Sequence, residues 1–581
     1  MPSPPKDIKP LLRYFANLFK LQVTGTSNAP DQVRVIPVAE KKSGESIYEL
    51  KIRFRSAWKS RRMSIQPLGE KVESKSTCYK VIYDDLLVVK IPPRPITDFQ
   101  DYLKHINREH AIVRRIEKTI PCVYPQVSAI LKKIPLVRLP SYILPEDAEK
   151  EYINILSKDV HLQDFLKIGD GFVFFMTLSQ YFFFNQIIDA IHNTAGQARK
   201  EIVKSGPEAI SDFFVFESLY GAENDQTYFD MHALDKAFEN RVDDILRKAD
   251  ASWAITDDQK KEWFYSGIAG YRPDIDADID ADNLHKDAYE QIEEMIDHLI
   301  ESKKPVVEKF RKVVYKASRN RNFSGHRQRI KGLVINILML LHRVKKRQVA
   351  IRDLKPDNMY VAVYLEGADH ILANPDAYDM GLIDLETALC FEPDKKGRVY
   401  QPLLAGTPSY ATPSHIFGNK ILRAYYKDDL PKIFYLQDMH AGLAMIFKVV
   451  TGRTLFIKTS QLIPEISRLK KKHAQEVEGL KALYKDANRR FWQSAKAELF
   501  EKTEKNRYRL GDIDIELSGR LKNFLAAEYK HEFKRRGCAG DKKKEKQYRD
   551  TLKAIDAPVT CDFLIEFMFK RVFYTMYKSL D

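Results

Sequence analysis

Residues 350–361, AIRDLKPDNMYV, place charged and amide side chains at short intervals in an otherwise apolar neighbourhood. The stretch follows a strongly apolar helix candidate, 332–342, and opens a region with strand-and-loop composition. Asp353, Lys355 and Asn358 supply a carboxylate, a cation and an amide within one loop-sized segment. The close spacing of these polar groups makes the segment a candidate functional loop.

This stretch resembles the catalytic loop of the protein kinase family, H-R-D-x-x-x-x-N, at every chemical position except the first, where Ile351 stands. The resemblance implies that Asp353 orients the attacking hydroxyl and that Lys355 balances charge on the moving phosphoryl group. It also implies that Asn358 ligates magnesium. A lysine at this position is typical of the serine/threonine branch.

The resemblance extends to the nucleotide side of the site. A strand candidate with the sequence LVVKI implies that Lys90 contacts the α- and β-phosphates of ATP, and that Glu109 in a following helix pairs with it. The phosphate-covering loop matches least well. Its frame puts Ser74 and Ser76 at two glycine positions and Val81 at the valine position. Because serine has less φ freedom than glycine, we expect weak nucleotide affinity.

Three later positions also follow the family's order. Asp384 resembles the metal-binding aspartate of D-F-G, although the motif here reads D-L-E, with Glu386 in place of glycine. Thr407 matches the threonine that contacts the catalytic aspartate, whereas Ser414 replaces the glutamate that normally anchors this segment through an ion pair. Asp438 begins the resemblance to the central helix and is expected to anchor the catalytic loop backbone.

The resemblance leaves two readings of Arg352: it binds a phosphate on the activation segment, or it packs against backbone carbonyls. Residues 389–405 contain no serine or threonine, and Tyr400 is the only hydroxyl there that could accept phosphate. We therefore expect no switch by serine or threonine phosphorylation within that stretch. Glu392 or Asp394 is the expected source of negative charge instead.

These matches predict an α+β chain with a bilobal protein-kinase-like fold, a mostly helical insertion and a helical C-terminal extension. Glu109 and Asp353 lie much farther apart in the sequence than in a compact kinase, which indicates the insertion. The predicted division is an N-terminal extension 1–64, an N-lobe 65–178, a C-lobe 179–460 with the insertion at about 195–325, and a helical C-terminal region 461–581.

The resemblance implies a phosphotransferase that uses ATP and Mg²⁺ and phosphorylates serine or threonine on protein substrates. The few scattered cysteines fit a reducing compartment, so we expect the protein to be cytoplasmic. A small-molecule or lipid kinase on the same fold is an alternative. A pseudokinase scaffold, binding partners through its insertion and C-terminal helices, belongs to a different class. The glycine-poor loop, Glu386 and Ser414 favour the scaffold, whereas Lys90, Asp353 and Asp384 favour the enzyme.

Composition argues against several other classes. The net charge of +15 is spread along the chain, so we predict no specific nucleic-acid partner, although residues 51–62, KIRFRSAWKSRR, form a dense basic run. Five scattered cysteines without a CxxC pair indicate neither a disulfide framework nor a zinc site. The apolar run 171–188 carries three amide side chains and is interpreted as core, with no membrane span.

Two further patterns keep alternatives open. Alternating aspartates at 274–282 suit calcium or a solvated acidic loop, since no frame supplies both the glycine and the glutamate of an EF-hand. An apolar stripe between 466 and 499 predicts one long helix. Its apolar face either packs in the core or mediates partner binding or self-association through a helix at about 465–500.

Overall fold

The structure, a computed structural model, is a mixed α and β molecule with an antiparallel sheet. It describes residues 8–26, 32–41, 44–68, 77–140, 142–178, 181–251, 255–271, 286–363, 371–393, 399–401, 404, 406–473, 476–535 and 541–577. The chain divides into two compact units. The first comprises Met1–Gln186 and Arg329–Asp581, and the second comprises Ile187–Gln328, a range that contains the predicted insertion.

Many of the strands in the described residues are only two or three residues long. In chain order they are β1 (Arg34–Glu40), β2 (Ser46–Phe54), β3 (Ala57–Leu68), β4 (Thr77–Ile82), β5 (Leu86–Ile91), β6 (Cys122–Val123), β7 (Lys167–Ile168), β8 (Gly171–Phe172), β9 (Phe174–Leu178), β10 (Tyr181–Phe183), β11 (Val349–Ala350), β12 (Met359–Val363), β13 (Tyr378–Ile383), β14 (Leu389–Cys390), β15 (Asp514–Ile515) and β16 (Val559–Thr560). The largest sheet has six strands in the order β1-β2-β3-β4-β5-β9, and a smaller sheet has the order β10-β12-β13-β6.

Helices dominate the rest of the chain. They are α1 (Lys9–Thr24), α2 (Phe99–Ile116), α3 (Ser128–Leu131), α4 (Pro145–Lys158), α5 (Phe184–His192), α6 (Thr194–Lys204), α7 (Gly206–Ser211), α8 (Phe213–Tyr220), α9 (Asp225–Lys248), α10 (Asp257–Ala269), α11 (Lys286–Ser302), α12 (Lys304–Gly325), α13 (Arg327–Lys346), α14 (Asn419–Tyr426), α15 (Leu430–Thr451), α16 (Ile457–Ser460), α17 (Leu462–Lys472), α18 (Val477–Lys505), α19 (Arg507–Asp512), α20 (Gly519–Arg535), α21 (Lys542–Asp556) and α22 (Cys561–Met576). The second unit is helical, with a hydrophobic core of its own.

The N-terminal residues are part of the large sheet, which corrects the predicted boundary at residue 64. Strand β3 runs across that position and pairs with β2 from Ser46↔Ile65 to Phe54↔Ala57. Helix α1 packs with β2, and its Phe15 shares a hydrophobic core with Leu50. The alternation of apolar and polar residues in β2 gives it one buried face, and a sheet core is where that face can be buried.

Helix α15 lies at the centre of the helical part of the first unit. Nearly all of its residues are buried, and Gly452 ends it at φ 71°. Helix α22 packs along it. A buried ion pair between Arg571 of α22 and Glu528 of α20, 2.7 Å apart, connects these two helices, and Lys345 of α13 pairs with Glu528 as well. Removing Glu528 would leave the buried guanidinium of Arg571 without this carboxylate, which is strongly destabilising.

The two apolar segments have different outcomes. The stripe between 466 and 499 is divided between α17 and α18, so the prediction of one long helix is wrong. Its residues Ile466, Tyr484 and Phe491 are buried in the chain's own core, which favours the core-packing alternative. The described residues of the run 171–188 form β8, β9, β10 and the start of α5, and Phe172 and Phe175 are buried, in agreement with its interpretation as core. Among the described helices, one stretch, Asn419–Thr451, is long and apolar enough to cross a membrane, and 94% of its apolar window is buried.

The turn between β2 and β3 is strained. Arg55 has φ 47° and Ser56 has φ 67°. Positive φ at both central positions of a two-residue hairpin characterises a type I′ turn, which Asn-Gly adopts most readily. Residues with side chains in this region cost about 1 kcal/mol or more each.

We therefore expect Arg55→Asn combined with Ser56→Gly to raise the free energy of unfolding by about 1–2 kcal/mol. Urea titration followed by circular dichroism measures the change. Ser60→Gly in β3 is the control and should lower stability, because glycine weakens the interior of a strand. A double variant less stable than the parent would show that the turn is not strained.

Candidate active site

A buried carboxylate holds the backbone of the 350–361 stretch. Asp438 of α15 accepts hydrogen bonds from the backbone N–H groups of Ile351 and Arg352, both at 2.7 Å. Asp438 is buried, and Arg352 has a positive φ of 68°. The expected anchoring of this loop by Asp438 is thus present, and the two hydrogen bonds offset the cost of burying both the carboxylate and the loop amides.

Asp353 is the centre of a dense set of polar contacts. Its Oδ1 accepts hydrogen bonds from the backbone N–H and the hydroxyl of Thr407, both at 2.8 Å. Its Oδ2 lies 3.2 Å from Nδ2 of Asn358, which donates to it, and 3.5 Å from Nζ of Lys355. The structure therefore brings together the predicted catalytic and metal-binding residues of this loop with the threonine of a segment 54 residues away.

Lys90 reaches the same region from the large sheet. Its side chain is 1% exposed, and its Nζ lies 2.6 Å from Oδ1 of Asp384 and 2.7 Å from Oε2 of Glu386. Burial alone would favour the neutral amine, but the two carboxylates outweigh it and raise the pKa of Lys90 well above its ordinary value. Asp384 itself has φ 66°, a costly conformation for a non-glycine residue.

The expected ion pair between Lys90 and Glu109 is not formed, and this prediction is wrong. Glu386, two residues after Asp384, pairs with the ammonium instead. Glu109 is buried, and its Oε2 has no hydrogen-bond partner among the described residues. Burial raises the pKa of Glu109 to about 8, although the charge of Lys90 lowers it in part. Glu386 stands where D-F-G has its glycine. This substitution was the one feature of the sequence that could have indicated Glu386, rather than Glu109, as the partner of Lys90.

The sheet register corrects a predicted nucleotide contact. Lys90 pairs with Cys78, and Val81 pairs with Leu87. Residues one apart on a strand point to opposite faces, so Cys78 shares the face of Lys90 whereas Val81 points to the other face and is buried in the core. Sequence reasoning missed Cys78. Burial, reinforced by the charge of Asp384, raises the pKa of its thiol to about 12.

Some of the sequence-based interpretations cannot be compared with the structure. Ser74 and Ser76 of the phosphate-covering loop, Asp394, and the acidic stretch 274–282 lie outside the described residues. Within the described part of the chain, no group of three or more histidine, cysteine, aspartate or glutamate side chains is placed to hold a metal ion.

Arg352 is packed inside the protein, which excludes a phosphate-reading role in this structure. It is 2% exposed, and its guanidinium donates to the carbonyl oxygens of Thr387 and His415, each at 3.4 Å, and to Oε1 of Gln437 at 3.2 Å. Gln437 in turn donates to Oγ of Ser414 at 2.8 Å. An amide and a hydroxyl thus hold this segment at the position where the family that the sequence resembles has an ion-paired glutamate, and Gln437 was not identified from the sequence.

Residues of the segment between β14 and Thr407 contact α2. Glu392 pairs with Arg115 at 3.0 Å, and the hydroxyl of the exposed Tyr400 accepts a hydrogen bond from Arg108 at 3.4 Å. The expectation that Glu392 replaces a phosphate at Arg352 is therefore wrong, because its partner is on α2. The contact ties this segment to the helix that carries Glu109.

Comparisons with known proteins did not identify a similar protein. A scan against family models, a search of curated proteins and a search of solved structures each found no match. The chemistry of the site is therefore inferred from its own side chains.

The raised pKa of Glu109 makes stability depend on pH. The carboxyl releases its proton near its ordinary value of 4.5 in the unfolded chain but only near 8 in the folded one. Between these values the folded state binds more protons, so its stability falls as pH rises. Glu109→Gln should remove this loss, and its melting temperature should exceed that of the parent by a margin that grows from about pH 5 to about pH 8.

Differential scanning fluorimetry at half-unit pH steps measures the margin. Glu386→Gln is the control, because it removes an ion pair and should lower the melting temperature throughout that range. A constant difference between Glu109→Gln and the parent would contradict the buried, protonated carboxyl.

Proposed function

We propose that the chain is an ATP- and Mg²⁺-dependent phosphotransferase with a protein-kinase-like fold, acting on serine or threonine of proteins. The observations that carry this proposal are two contacts between distant segments, Lys90 with Asp384 and Thr407 with Asp353. The charges of Lys90, Asp384 and Lys355 all act on the thiol of Cys78, which supports a common site for both contacts. The order of elements supports it: the six-stranded sheet, α2 stacked on it through Tyr102, then the 351–358 loop, and then α15.

The donor set fits a magnesium ion. Mg²⁺ prefers oxygen ligands and is commonly held by one or two carboxylates and substrate phosphates. Asn358 uses its Nδ2 to donate to the carbonyl oxygen of Asp353 at 3.0 Å, which directs its amide oxygen away from that contact. Asp384 supplies the carboxylate. Asn358 and Asp384 are therefore the residues that would hold the ion, and Lys90 would contact the nucleotide phosphates.

Bound Mg-ATP would supply the phosphoryl group and neutralise its charge. Asp353 contributes the proton chemistry. Thr407 fixes one of its oxygens, so the other faces Asn358 and Lys355 and is positioned to orient a substrate hydroxyl and accept its proton. Lys355, close to this oxygen, places a positive charge beside the transferring group.

The same geometry sets a condition on activity. Lys90 is ion-paired to both Asp384 and Glu386, so phosphates must compete with two carboxylates for one ammonium. This observation favours the second candidate function, a catalytically weak pseudokinase scaffold. The two candidates differ in one result: the enzyme transfers phosphate, whereas the scaffold binds nucleotide weakly without transfer.

The Thr407 contact bears on the substrate class. In the family that the sequence resembles, the segment with this threonine forms the platform for a peptide. Here the segment is held to Asp353 by two hydrogen bonds and to the core through Ser414. This arrangement supports a protein substrate over a small molecule.

Asp353→Asn should lower the turnover by about 10²- to 10⁴-fold, because it removes a positioned proton acceptor. Phosphate transfer from radiolabelled ATP to a generic basic protein or to the chain itself measures it. Asp357→Asn, in the same loop, removes the same charge and should retain activity. Equal turnover in Asp353→Asn and the parent would exclude this role.

Asp384→Ala should abolish the additional thermal stabilisation that Mg²⁺ gives over ATP alone, because the carboxylate is the proposed metal ligand. Thermal shift with ATP, with and without Mg²⁺, measures it. Lys90 keeps Glu386 as a partner in the variant, so the fold should persist. Asp376→Ala is the matched control. A full magnesium response in Asp384→Ala would contradict the assignment.

A further inference from the structure

The register of β1, β2 and β3 collects cations on one face of the large sheet. Arg34 pairs with Lys51, Arg53 pairs with Trp58, and Arg62 pairs with Glu49. Directly paired residues share a face, as do residues two apart on one strand. The residues Arg34, Lys51, Arg53, Trp58 and Arg62 therefore form one surface, the basic sheet face.

Among the described residues, few cations of the basic sheet face have a carboxylate partner. Glu49, on the same face, forms an ion pair with Lys51 at 3.0 Å. Glu49 also lies opposite Arg62 in the strand register, but no described carboxylate forms an ion pair with Arg34, Arg53 or Arg62, and all three are exposed. The opposite face of β2 carries the buried Leu50 and Ile52, so the core lies on one side of the sheet and the cations lie on the other. An anionic partner is the complement to such a surface.

Trp58 is the second feature of the basic sheet face. Its side chain is 53% exposed, and Cζ of Arg34 lies 5.2 Å from its ring centroid. A large aromatic ring in solvent, stacked with a guanidinium and surrounded by cations, offers a π-surface beside phosphate-binding groups. Proteins that bind single strands use this combination, with bases stacking on the aromatic ring and cations following the backbone.

We propose that the basic sheet face binds single-stranded nucleic acid, RNA or DNA, without sequence preference. Paired bases in a duplex cannot stack on Trp58, and an acidic peptide has no need of an exposed indole. From the sequence we expected no specific nucleic-acid partner because the net charge is spread along the chain, whereas this proposal rests on the strand register and on Trp58. Binding here does not depend on phosphate transfer at the Lys90 site.

Fluorescence anisotropy with labelled twelve-residue oligo(U) and oligo(dT) tests the proposal. If binding neutralises three or four phosphates, the logarithm of the affinity plotted against the logarithm of the salt concentration should have a slope of about −2 to −3. Trp58→Ala should weaken binding by about 5- to 100-fold with little change in slope. Arg53→Glu with Arg62→Glu should weaken binding and reduce the size of the slope by about 1.4.

Two variants serve as controls. Lys543→Glu with Lys546→Glu, both exposed in α21, changes the net charge equally and should bind like the parent. Asp353→Asn should also bind like the parent, so loss of phosphate transfer does not affect this test. A preference between oligo(U) and oligo(dT) would show whether RNA or DNA is the better ligand.

Several results would overturn the proposal. They are no binding by the parent at low salt, unchanged binding in Trp58→Ala, or equal weakening in the α21 control. Displacement of the oligonucleotide by oligoglutamate of equal charge, or by phosphatidylserine vesicles, as effectively as by unlabelled oligo(dT) would identify an acidic-protein or membrane surface instead.

Discussion

The buried ammonium of Lys90 constrains the arrangement of the first unit. A charge with almost no solvent contact persists only with counter-charges at hydrogen-bonding distance. Asp384 and Glu386 meet this requirement, and in doing so they connect the large sheet to the segment after β13. Asp384 adopts a left-handed conformation at this point, and the ion pairs are the interactions that can compensate such strain.

The exchange of partner around Lys90 has consequences for α2. In the family that the sequence resembles, the glutamate of this helix positions the lysine. Here Glu109 is left buried with a raised pKa, so the helix is not held through that charge. Its Arg115 and Arg108 contact Glu392 and Tyr400 and so connect α2 to the segment after β14, while Tyr102 packs α2 against Phe174 of the large sheet.

Hydrogen bonds from neutral side chains hold the segment around Ser414, where the family that the sequence resembles has an ion pair. Gln437 and Ser414 link the segment after Thr407 to Arg352 in a fully buried environment. A buried charge pair is costly to desolvate, and an amide and a hydroxyl achieve a similar connection at a smaller cost. The guanidinium of Arg352 is buried and is not placed to bind a phosphate. This agrees with the lack of serine and threonine between 389 and 405.

The sequence by itself determined the features that depend on short covalent spacing. Asp353, Lys355 and Asn358 lie within one tight loop, so their proximity follows from the chain, and the strand and helix carrying Lys90 and Glu109 follow from periodicity. Tertiary structure alone decided which carboxylate pairs with Lys90, because that choice joins residues 296 apart. It also decided the face of Val81, since a one-residue change of register reverses every side chain on a strand. The same register placed Lys51, Arg53 and Arg62 of the basic run on one sheet face together with Arg34, a result that net charge could not predict.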